Sequence, residues 1–204
     1  MTTFTFPTLN RGPQSMGVQL VANTAVFRSP LSGTTQTLAR PGSRLGMTVT
    51  FARRGEPDRS ILKGFLAGLY GQEHLLTYHD PSHVQRGALG GTPIVDGGSQ
   101  VGQAIDISGG PTSQNGWLLR GDHMAFDNGT YLELKIVTAD VDTDGSGDAT
   151  IPIYPEIHIS PATSAPIDIT VPILGTWRLA GPNAAWEDEV GDRSTFTFDL
   201  EEYI

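Results

Sequence analysis

The 204-residue chain contains no cysteine. That excludes a disulfide framework, a thiolate metal site and a cysteine nucleophile together. Charged side chains are scarce at 17%, and no apolar run is long enough to cross a bilayer as a helix, so no membrane partner is expected. The start, MTTFTFPTLNRG, lacks the basic and then apolar regions of a secretion signal, which leads us to expect a chain made and folded in a cytosol. What is abundant is glycine (25) and proline (14), a composition that suits strands and turns better than helices or disorder.

Carboxylates are nearly missing from the first third. Residues 1–72 carry Arg11, Arg28, Arg40, Arg44, Arg53, Arg54, Arg59 and Lys63 against only Glu56 and Asp58, a net of +6 within a chain of net charge −9. These arginines are scattered through strand-like segments without interleaved aromatics, a poor pattern for nucleic-acid recognition. Pairing with the chain's own acidic end, or with the acidic face of a neighbouring copy, accounts for them better.

Helical periodicity is confined to one stretch, from about Glu56 to Gly71. Ile61, Leu62, Phe65, Leu66 and Leu69 fall on one side of a 3.6-residue spiral. Pro57 suits a first turn, Glu56 and Asp58 its positive end, and Gly71 a stop. Gly64, Ala67 and Gly68 leave no bulk and predict a close approach to another backbone, most simply a sheet.

Elsewhere the pattern alternates. Leu45, Met47, Val49 and Phe51 share one face of a half-buried strand, with Thr48 and Thr50 on the other. GVQLVANTAVFRSPL before it and HLLTYHDP after the helix also read as strands. From Pro81 the chain becomes dense in glycine and turn residues, with short apolar pulses at Pro93–Val95 and Ala104–Ile107. WLLRGDHMAF, TYLELKIVTA and ATIPIYPEI then alternate as strands joined by DNG and DTDGSGD. ITVPILGTWRLAG and STFTFDLEEYI resume the first pattern around a polar loop, PNAAWEDEVGDR. The expected architecture is mainly β with one helix. A split barrel or sandwich formed by residues 1–80 and 169–204 has its chain ends in one sheet, and a small β-barrel, OB-like or sandwich, is inserted at 81–168.

Several motifs invite chemistry. Asp140, Asp142, Asp144 and Asp148, with Gly145, follow the opening of a calcium loop, but its closing glutamate is replaced by Ile151 and strands flank it, so an acidic hairpin tip with at most weak calcium binding is expected. Arg120-Gly121-Asp122 spells an adhesion tripeptide beside a strand end. His79, Asp80 and His83 cluster around Pro81, which prevents the helical pairing of two imidazoles. Gly87, Gly90 and Gly91 lack the ending of a phosphate loop, and Asn128-Gly129-Thr130, a glycan acceptor by pattern, is also a hairpin turn. No G-x-S-x-G elbow is present, and Glu187, Asp188 and Glu189 lie in a polar stretch with no apolar wall to shift a pKa. No catalytic residue, metal site or cofactor is assigned. Trp117, Trp177 and Trp186 suit a sugar-binding β-sandwich or, more simply, core and interface anchors.

In order along nearly the whole chain, NTAVFRSPLSGTTQTLARPGSRLGMTVTFA, DRSILKGFLAGLYGQEHLLTYHDP, the Gly-rich middle with VTADVDTDGSGDATIPIYP, and the returning TWRLAG and TFTFDLEE resemble distal tail proteins of long-tailed, siphovirus-type bacteriophages. Leu45 departs from the aromatic expected after Arg44. The resemblance implies a tail-tube-like fold with an inserted small barrel in a non-enzymatic virion protein of the tail tip, assembled in the host bacterial cytoplasm. It further implies a homo-oligomeric ring, a hexamer, between the tail tube protein and the baseplate hub or tape-measure-associated proteins, with DNA passing through an acidic lumen. A tail tube subunit is the neighbouring expectation; a carbohydrate-binding module and a calcium-dependent binding domain are those of other classes.

Overall fold

The computed structural model describes residues 1–204. Strand accounts for 44% of the chain and helix for 5%, so the fold is mainly β with one helix. The longest strand, β5 (Arg44–Arg54), turns Leu45, Met47, Val49 and Phe51 into the core and leaves Thr48 and Thr50 half-buried opposite, as the alternation requires. It pairs antiparallel with β15 (Arg193–Glu202), whose Phe196, Phe198 and Leu200 join the same core. The full sheet has seven strands. β1 (Thr3–Thr5), β6 (Leu75–Tyr78), β13 (Gly175–Leu179), β15, β5 and β2 (Ser15–Val21) lie side by side, and β14 (Ala185–Glu189) pairs the far half of β15. β1 runs parallel to β6, which brings both chain ends into one sheet.

Helix α1 (Asp58–Gly68) covers this sheet with Leu62, Leu66 and the capping Leu69, all buried, while Phe65 packs partly and Ile61 stays at the rim. It is shorter than the 56–71 span expected. The helix stops before Gly71: Leu69 is its cap and Tyr70 (φ 48°) is the first left-handed residue, followed by Gly71 at φ +66°, where a Cβ would come within 2.9 Å of the Pro182 carbonyl oxygen. The expectation for Gly64, Ala67 and Gly68 is overturned. Gly64 and Ala67 are exposed, and neither Gly64 nor Gly68 has an atom near the place of a missing Cβ. The large residues at 62, 66 and 69 fill the contact, so the small ones fall on the opposite side of the spiral.

A second sheet of six strands follows the order β12 (Ile167–Asp168), β9 (His123–Asp127), β10 (Leu132–Val137), β11 (Ala149–Ile157), β8 (Gly102–Ser108) and β7 (Ile94–Val95). Its two ends meet through an Ile94–Pro166 bridge and a bond from the Val95 amide to the Ala165 carbonyl (2.9 Å), giving a nearly closed barrel. Ile105, Ile107, Trp117, Met124, Phe126, Ile151 and Ile153 fill it. The two apolar pulses of the Gly-rich middle are thus β7 and β8. One stretch differs from expectation: the polar loop 182–193 contains β14, in register with β15 from Ala185↔Thr197 to Glu189↔Arg193. Its acidic run hides a strand because neither face is deeply buried.

Candidate assembly surface

The hairpin formed by β2 and β5 continues outward as β3 (Thr24–Arg28) and β4 (Thr35–Ala39), a separate two-stranded ribbon. Its five residue pairs extend roughly 17 Å beyond the sheet. Between residues 24 and 39 only Ala25 and Ser29 are even partly covered. Val26, Phe27, Leu31 and Leu38 are large, apolar and exposed, Leu31 at 99%. Phe27 and Leu38 share one face, since Phe27 is opposite Gln36 and Leu38 opposite Ala25. An isolated two-stranded ribbon is marginal in water, and nothing in this chain covers the arm's large apolar side chains.

The root of the arm repeats the pattern. β2 is the outer strand of the seven-stranded sheet, and Val18 and Leu20 are opposite Met47 and Leu45 on the core-facing side. Leu45 and Met47 are buried, yet Leu20 is 59% exposed. The apolar face therefore runs on to an open edge with unpaired backbone groups and no cover.

The scattered basic residues are spent largely within the chain. Arg44 pairs with Glu201 (3.1 Å), Arg53 with Glu189 (3.2 Å), Arg59 with Asp192 (3.6 Å) and Lys63 with Asp188 (2.8 Å). Pairing with the chain's own acidic end is thus what the structure contains. Arg11, Arg28 and Arg40 form no ion pair, and the last two flank the arm. On the barrel, Asp96, Asp106, Asp144 and Asp148 line an open acidic concavity.

The motifs that invited chemistry are occupied otherwise. The Asp140 carboxylate accepts the Arg120 amide (2.8 Å), Asp142 that of Gly116 (2.6 Å), and Asp144 those of Ser146 (2.7 Å) and Asp148 (2.9 Å). Those amides hold Asp144 below the usual carboxylate range. Asp140, Asp142 and Asp144 thus cap turns of different segments while the Asp148 main chain closes the Asp144 turn, and no group of three or more acidic or histidine side chains is positioned to hold a metal. Asp122 of the adhesion tripeptide is fully buried, accepting the amides of Arg86, Gly87 and Leu119 at 2.8–2.9 Å, so it is closed to an outside ligand. Gly87 has no room for a side chain: a Cβ would come within 2.3 Å of the Trp117 carbonyl oxygen. Asn128 caps the β9–β10 turn through the Thr130 and Tyr131 amides. Trp117 and Trp177 are core anchors at 0% exposure, donating to the carbonyls of Gly90 (3.1 Å) and Tyr78 (3.0 Å); Trp186 is partly exposed, with the Lys63 ammonium over its ring. His83 and His123 stack at 3.6 Å, and burial, with the nearby His83, lowers the His123 pKa to about 4.

Sequence reasoning missed a buried ionic joint. Lys135 donates to Glu133 (2.8 Å) and to the Glu156 carbonyl (3.0 Å), with Glu202 3.9 Å away, all three ionic side chains being fully buried. The second Glu202 oxygen accepts the Leu45 amide (3.0 Å), and the Glu156 carboxylate accepts those of Gly42 (2.8 Å) and Ser43 (3.1 Å) at the root of the arm. The signal was two charges, Glu133 and Lys135, at alternate positions of an otherwise apolar strand, LELKIV. No protein-family model matches the chain, and comparison with curated proteins yields no match.

Proposed function

We propose that the chain is a structural, non-enzymatic subunit that assembles into a closed ring, serving as a distal tail protein between the tail tube and the baseplate hub of a long-tailed bacteriophage. The observation that carries ring formation is the uncovered apolar arm and edge: Phe27, Leu31 and Leu38 on the ribbon, Val18 and Leu20 at its root. An arm that docks on a different surface of the next copy makes a heterologous contact, which closes by rotation into a ring. The unpaired Arg28 and Arg40 suit the acidic concavity of a neighbouring barrel. The tail-tip identity rests on the sequence resemblance. DNA in transit through an acidic lumen and assembly in a bacterial cytoplasm belong to the same reading.

Negative-stain microscopy of the purified full chain, with light scattering for mass, tests it. Discrete rings are expected. Long stacked tubes would favour a tail tube subunit instead, and compact monomers at micromolar concentration would refute the ring.

A further inference from the structure

A cavity of about 610 Å³ opens where β5 ends and α1 begins, lined almost wholly by polar groups. Arg11, Arg53, Arg54 and Arg193 line it with only Glu56 and Asp58 against them. Both carboxylates are engaged elsewhere as well: Glu56 pairs with Arg59 (2.8 Å), and Asp58 accepts the Asn10 amide (3.0 Å). Arg53 is held by Glu189 (3.2 Å), but Arg11 and Arg193 are exposed and have no carboxylate partner.

Arg54 is the unusual member. It is 6% exposed, donates to the Gly12 carbonyl and lies 4.0 Å from Asp58, and its Nε has no partner. Burial holds its pKa below the ordinary value; Asp58 opposes this and the charge of Arg11 adds to it. The local backbone is also bent to present these groups. The β5–β15 register slips between Phe51↔Phe196 and Arg54↔Ser194, with Arg53 at φ 51°, a conformation that a non-glycine residue adopts only under constraint. The bulge brings two consecutive arginines, which a regular strand would send to opposite faces, to the wall of one cavity.

We propose that this cavity binds a phosphate group, held by Arg11, Arg54 and Arg193. Guanidinium forks match phosphate oxygens two by two, and a dianion would relieve the repulsion among like charges gathered there. The phosphate comes either from a free oxyanion or from a nucleic-acid backbone. The site lies on a single chain, and this inference stands or falls independently of ring assembly.

Calorimetric titration of the full chain with inorganic phosphate, pyrophosphate and a short single-stranded DNA oligonucleotide tests it. Pyrophosphate is expected to bind with Kd below about 1 mM. Arg11→Ala/Arg193→Ala, which removes two exposed side chains without carboxylate partners and is expected not to lower the melting temperature, is expected to weaken binding at least ~tenfold. Arg28→Ala/Arg40→Ala, an equal change of charge on the arm, is expected to leave it intact. Binding of the oligonucleotide in competition with pyrophosphate assigns the phosphate to nucleic acid; binding of the small anions alone assigns it to a free oxyanion. No binding of any probe, or equal loss in both double variants, overturns the site.

Discussion

Glu202, 1% exposed near the end of β15, has its pKa raised to about 7, because burial outweighs the attraction of Lys135. Lys135 is closer to Glu133, whose carboxyl its charge and hydrogen bond, with the Asn128 and Ile159 donors, hold low against burial. A carboxyl whose folded pKa exceeds its ordinary 4.5 favours the folded state while protonated, so its contribution is complete below pH 4.5 and is lost as pH rises through about 7. Glu202→Gln is therefore expected to raise the melting temperature at pH 8 and to leave it unchanged at pH 4.5; equal shifts at both pH values would contradict this. His123 acts with the opposite sign, its neutral folded form losing stability as pH falls from 6.5 through about 4. Lys135→Met leaves the buried Glu133 carboxylate without its counter-ion and should cost about 3–5 kcal/mol in urea unfolding. Only the Glu133–Lys135 pair was legible in the sequence, as two charges in LELKIV; the other partners of Lys135 are some 20 and 70 residues away and are chosen by the sheets.

At the scale of elements, α1 was readable because Leu62, Leu66 and Leu69 repeat at helical spacing and packing needs that face. What was misread was the use of its small residues. Gly64 is exposed with open space around its missing Cβ, so Gly64→Ala should stabilise the protein by about 0.5–1 kcal/mol, read as a higher urea midpoint. Leu69→Asp places a carboxylate at a fully buried site and should abolish soluble folded protein, seen as loss of the cooperative melting transition. β5, β9, β10, β11 and β15 were legible as alternating strands bounded by turn residues. β14 was not, because a ribbon with both faces near water shows no hydrophobic period.

For the whole molecule, the charge asymmetry of the sequence becomes four ion pairs that tie β5 and α1 to the β14–β15 region and its turn. Most are solvent-accessible, and each is worth at most about 1 kcal/mol, so salt should change stability little. The ring assembly proposed above would depend on apolar cover instead. If Val18 and Leu20 meet a neighbouring copy, Leu20→Asp should yield monomers by light scattering while shifting unfolding by no more than about 0.5 kcal/mol, since this exposed side chain loses little within its own fold. A variant that still assembles normally would remove the β2 edge from the contact.

The sequence by itself determined the β-rich class, the single helix and its buried face, the main hairpins and the mixture of glycine-rich turns with short strands. Each depends on periodicity or turn chemistry within about ten residues, where the chain's local geometry is the only geometry that matters. The tertiary structure decided which charges pair, that Asp122, Trp117 and Trp177 are closed to solvent, that Asp140, Asp142 and Asp144 cap turns, and that Arg11, Arg54 and Arg193 share a cavity. Those outcomes depend on which distant strands come into register, and register is chosen by burial summed over the whole sheet rather than by any residue's neighbours.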